Sequence, residues 1–116
     1  MTAAKNVEDR LADSIQQAVA TASHPQVVPV NMYEADEAYV VIAPLAGVMA
    51  DDVDVKIDGT KLHIYAAMRT PAVKAYLMHE WHYGPYERTV DIPDDCSGRV
   101  ETSFGNGQLA IRLFRK

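Results

Sequence analysis

From residue 30 to the C-terminus, apolar side chains recur at every second position. Val53, Val55 and Ile57 alternate with Asp54, Lys56 and Asp58, and beyond a turn Leu62, Ile64 and Ala66 alternate with polar or amphipathic neighbours. A period of two puts successive side chains on opposite faces of an extended chain, so each run is a strand with one buried face. The turns agree with this. Asp58 followed by Gly59 is a strong hairpin signal, and Asn106 with Gly107 supplies residues that tolerate the positive φ of a tight turn between the runs 100–104 and 108–114. Residues 30–34 and 38–45 flank Ala35, Asp36 and Glu37 as a further hairpin. A run over 76–83 precedes the Gly84 and Pro85 turn, and the run 86–92 stops at Pro93. About eight short strands with no helix between them predict an antiparallel β-sandwich of the immunoglobulin-like kind.

Residues 5–22 follow a different period. Val7, Leu11, Ile15, Ala18, Val19 and Ala22 fall on one stripe among Glu8, Asp9, Arg10 and Gln16, the pattern of a short amphipathic helix. Ser23 and His24 before Pro25 end it. A lone helix of this length is marginal in water, so its stripe needs the domain, another subunit or a bound protein to cover it. The chain therefore divides into an N-terminal arm, 1–28, and a sandwich, 29–116.

With 116 residues there is room for one domain, and 48% hydrophobic residues suffice for a small core. The net charge of -5 argues against nucleic acid, where Lys and Arg must neutralise phosphates. No apolar run approaches the length of a bilayer span. Cys96 is the sole cysteine, which excludes an intrachain disulfide and a cysteine-based zinc site and suits a reducing cytoplasm. His79, Glu80 and His82 superficially resemble a zinc-protease motif, but that chemistry needs histidines four apart on one helical face. Here they are three apart in a strand pattern. Cys96 lies between Asp95 and Ser97 in an acidic loop, a setting that disfavours a reactive thiolate. With no phosphate-binding glycine loop and no Ser, His and Asp grouping, neither an enzyme nor a cofactor is expected, and no metal.

Four motifs then occur in order over residues 29–116. PVNMYEADEAYVVIAPLAGV resembles the opening of an alpha-crystallin domain, with Leu45, Ala46 and Gly47 at its turn. DDVDVKIDGTKLHIYA resembles the following hairpin. EWHYGPYERTVDIP is similar to the region carrying Tyr83, Gly84, Arg88, Ile92 and Pro93, and VETSFGNGQLAIRL to the family signature, carried by Asn106, Gly107 and Leu109. The departures are Tyr86 in place of Phe, Thr102 in place of Ala, Gln108 in place of an aliphatic residue and Phe114 in place of Pro.

The resemblance to bacterial small heat-shock proteins implies an ATP-independent holdase in the cytoplasm that binds unfolding proteins and prevents their aggregation. A chaperone-like adaptor that binds one defined partner is the alternative. It also implies a groove between the strand of Val53 and Val55 and that of Val100, Thr102 and Phe104, whose side chains serve either clients or plain core. Val7, Leu11, Ile15 and Val19 form the second candidate client surface, or else pack on their own sandwich. Thr102 adds a hydroxyl that a dry groove would have to satisfy. In bacterial relatives a strand placed like 76–83 is exchanged between subunits, so Tyr76, Met78, Trp81 and Tyr83 are expected at a homodimer interface. Arg88 would pair there with a carboxylate of the second subunit. The alternatives are Trp81 in the core and Arg88 on the surface. Family members that build large shells carry an Ile/Val-x-Ile/Val tail. This sequence ends at Lys116 without one, so a small assembly is expected.

Overall fold

The computed structural model describes residues 25–69 and 75–116. The amphipathic run 5–22 lies outside the described residues. Two four-stranded sheets face each other. In one, β1 (Gln26–Val27), β6 (Tyr86–Asp91), β5 (Lys61–Ala66) and β4 (Val53–Asp58) lie side by side in that order. In the other the order is β2 (Asn31–Glu34), β3 (Ala38–Pro44), β8 (Gln108–Arg115) and β7 (Cys96–Gly105). The expected immunoglobulin-like sandwich is therefore the fold, antiparallel throughout except where β1 runs parallel to β6. A 3-10 turn, Ala50–Asp52, leads into β4.

Turn chemistry fixes the registers. Asp58 pairs with Lys61 across Gly59, whose φ is 60°. Gly105 pairs with Gln108 across Asn106 and Gly107, with φ of 54° and 73°. Two successive positive φ values match the right-handed twist of the flanking strands, which is why Asn-Gly stands there. β7 begins four residues before the run read from the sequence. Its ladder slips between Cys96 and Val100, where Gly98 has φ 92°. A bulge of this kind hides the period of two from a sequence reading.

Alternation then builds the core. Leu62, Ile64 and Ala66 of β5 point inward toward Leu109, Ile111 and Leu113 of β8, and all six are essentially inaccessible. Burying a side chain of this size contributes about 1.5–3 kcal/mol, so these strands hold the two sheets together. Val28 is 1% exposed in the same core and β1 pairs with β6, so the sandwich takes in residues 26–28, which the sequence assigns to the arm. Gln26 secures the strand by donating its backbone N–H to the Pro85 carbonyl at 2.8 Å and its side-chain amide to that of Gly84 at 3.1 Å.

Tyr86 adds a polar tie at one end of the sandwich. Its hydroxyl donates to the Ala46 carbonyl at 2.9 Å, beside Gly47 with φ 82°. Burial, and then the neighbouring Tyr83, push its pKa above the ordinary 10.0. A raised phenol pKa means that the fold favours the protonated form. That contribution is complete below the unfolded-state value and is lost as pH climbs through the folded-state value. Y86F should cost about 1 kcal/mol at neutral pH, the worth of one hydrogen bond. The gap to wild type should narrow in urea melts taken at increasing pH above 10. A gap that does not change with pH would mean that the hydroxyl does not carry it.

Candidate functional site

β4 and β7 are edge strands of opposite sheets, and the sandwich stays open between them. The opening is a groove of about 520 Å³ lined by Val53, Val55, Val100, Thr102, Phe104 and Leu109 among others. The inward alternation of β4 supplies Val53 and Val55, and that of β7 supplies Val100 and Phe104. All four are only half-buried, packed against the core from one side. The structure thus brings together the four sandwich residues expected at a client surface. Thr102 is exposed rather than enclosed, so water can satisfy its hydroxyl and the expected desolvation cost does not arise. The other expected client residues, Val7, Leu11, Ile15 and Val19, lie outside the described residues.

The segment 76–83 forms no strand in the single chain, contrary to the sequence expectation. The physical reason is the absence of a free neighbour at that point, because β6, which follows it, already has β1 on one side and β5 on the other. Leu77 is fully exposed, Met78 75% exposed and Trp81 55% exposed. The Trp81 and Tyr83 rings meet edge to face with centroids 5.3 Å apart, and Tyr76 stacks on His79 at 4.7 Å. Tyr83 anchors the end of the segment: a Cβ placed on Gly47 would lie 3.8 Å from its ring. Trp81 is therefore outside the core. Within its own chain Arg88 donates through Nη1 to the Val28 carbonyl at 3.2 Å, where it ties β6 to the end of β1.

One feature escaped the sequence reading. β2 pairs on one side only, with β3, and all four of its residues are exposed. Met32 and Tyr33 sit on that edge, 38% and 54% exposed. A bare edge of this kind is a template for another strand. The available signal was that residues 31–34 open the first hairpin with no strand immediately before them to cover the far side.

The polar cluster around Arg115 ties elements together. Arg115 donates to the Asp36 carbonyl at 3.2 Å, faces Glu34 at 3.4 Å and Asp95 at 4.0 Å, and lies over the Tyr39 ring. The Tyr39 hydroxyl donates to Asp95 at 2.9 Å. Together they pin the end of β8 to the β2–β3 hairpin. Burial and then Asp95 push the Cys96 thiol above its ordinary pKa, which keeps it in the unreactive form. Among the described residues no group of three His, Cys, Asp or Glu stands close enough to hold a metal ion, and no helix is long and apolar enough to cross a membrane.

Known proteins share this fold. The chain is 29% identical over 109 residues to the small heat shock protein IbpB of Enterobacter sp. (strain 638), covering 92% of this chain and 74% of that protein. It superposes on the crystal structure of hspA from Xanthomonas axonopodis with a TM-score of 0.72 at 23% identity, over 80% of this chain and 97% of that one. A small heat-shock protein from Xylella fastidiosa gives a TM-score of 0.68 at 24% identity, over 80% and 89% of the two chains. The sandwich, the open groove and the bare β2 edge occur on a chain whose residues 31–116 match the Hsp20/alpha crystallin family, and to that family the protein belongs.

Proposed function

We propose that the protein is an ATP-independent holdase that captures unfolding proteins on apolar surface and keeps them from aggregating. The observation that carries this reading is the half-open groove between β4 and β7, where Val53, Val55, Val100 and Phe104 offer apolar surface at an unclosed seam of the sandwich. An unfolding protein presents apolar side chains and unpaired strands, and such a seam accepts both. The amphipathic run with Val7, Leu11, Ile15 and Val19 supplies a second surface of the same chemistry. The working unit is a homodimer in which residues 76–83 of each subunit add to the free β2 edge of the other, burying Met78 and Trp81 beside Tyr76 and Tyr83. β-strand addition of this kind draws affinity from backbone hydrogen bonds and specificity from alternate side chains. It acts in the cytoplasm.

At a few subunits per client, the protein should suppress the light scattering of several unrelated heat-denatured proteins without ATP. Failure to protect any of them would sink the holdase reading, and protection of one alone would favour an adaptor with a single partner. Removing residues 1–25 should weaken protection while the β signal in circular dichroism persists. Unchanged protection would place the client surface wholly in the groove.

A further inference from the structure

A second cavity lies on the other side of the sheet from the core. Asn31 pairs with Ile42, and Pro44 with Gln108. Strand alternation therefore sends these four side chains to the outer face, opposite the buried Val41, Ala43 and Leu109. With Pro29 and Val30 they enclose about 250 Å³, room for one large side chain rather than a folded element. The walls from Val30, Ile42 and the two prolines are apolar. Asn31 and Gln108 each bring an amide oxygen able to accept one N–H. An apolar slot with a hydrogen-bond acceptor at its rim matches an indole, which has a broad apolar body and a single N–H that usually finds a partner when buried.

We propose that this cavity receives the Trp81 indole of a second copy of the chain. The inference rests on the strand-exchange reading above and names the anchor site that reading leaves open. Three observations single out the occupant. The cavity includes Asn31 of β2, so it is continuous with the edge that a strand from the second copy would join. Trp81 is the only tryptophan of the chain, and in the single chain its ring rests edge-on against Tyr83 with 55% of the residue exposed, away from this cavity's lining. The added strand sends alternate residues to the two faces, so placing Trp81 opposite Asn31 puts the indole on the cavity side while Glu80 and His82 turn to the other. Leu77 and Met78, also exposed, have no N–H to offer the amides.

The test uses the full-length chain. Because Trp81 is the sole tryptophan, its emission should lie at shorter wavelength, and resist acrylamide quenching, in the dimer, and revert on dilution to monomer. W81A should raise the dimer dissociation constant about 30-fold or more, as for a buried aromatic anchor, and W81F about 5-fold, the loss of one hydrogen bond. Position is read separately: W81C and Q108C chains, each also carrying C96S, are co-expressed with tags of different mass and mildly oxidised. A mixed disulfide joining one chain of each kind is expected. Mixed dimers are first confirmed by tag pull-down at a concentration above the weakened dissociation constant; W81C and Q108C chains that pair but yield no mixed disulfide overturn the anchor site and leave strand exchange standing. An 81–108 disulfide within one chain, when both substitutions share it, overturns the second copy as occupant. A wild type that is monomeric by light scattering overturns both readings.

Discussion

Ile111→Ala should destabilise the protein by about 3–4 kcal/mol, the largest loss expected from a single truncation in this sandwich. Ile111 is inaccessible at the middle of β8, paired with Val41 on one flank and Thr102 on the other. β8 lies between β3 and β7, so neither neighbour can move inward without breaking a ladder. The vacated volume therefore stays as a cavity, adding to the transfer free energy lost with the side chain. For a domain of this size such a change lowers the thermal midpoint by more than about 10 °C. Midpoints must be compared at one protein concentration, because assembly adds its own stabilisation. Leu77→Ala, made on a fully exposed side chain, provides the contrast and should leave the stability of the monomer within about 0.5 kcal/mol. Equal effects of the two substitutions would mean that the buried layer of β5 and β8 is not what holds the sheets together.

The contrast follows how legible each part is in the sequence. β4, β5 and β8 are readable because their inward and outward residues differ in polarity at every step, and because the Asp58-Gly59 and Asn106-Gly107 turns admit one register each. The start of β7 is not readable, since the bulge at Gly98 breaks the alternation that a period of two relies on. Nor is β1: two residues paired in parallel to β6 leave no pattern, and only Val28 in the core shows that the sandwich has begun. The groove residues were brought together as a set by the family resemblance; alternation alone assigns Val53, Val55, Val100 and Phe104 only to inward rows. Alternation could not tell that the sheets would stay apart there, which is a matter of how two edges meet. The residues 76–83 failed as a strand for a related reason. Their apolar pattern is that of a strand, but a strand is completed by a neighbour, and the fold of the single chain brings no free edge alongside them.

That failure motivates the second large effect. Replacing Leu77, Met78 and Trp81 together by serine should abolish the homodimer, raising its dissociation constant more than about 100-fold, while circular dichroism retains the β signal. The fold is spared because all three side chains are exposed in the single chain and belong to neither core layer. The assembly should not be spared, because in the proposed dimer their burial against β2 of another subunit would be the largest apolar gain. Each buried side chain of this size is worth about 1.5–3 kcal/mol before the cost of association is subtracted. Light scattering coupled to gel filtration reads the outcome directly, and a triple variant that remains dimeric would place the interface elsewhere. Client protection by the triple variant then separates two roles for one surface. A side chain buried between subunits is withheld from clients, so a holdase that works through Val53, Val55, Val100 and Phe104 should keep protecting as a monomer. Loss of protection together with the dimer would instead make the released segment 76–83 itself the capturing surface, with dissociation as the step that exposes it.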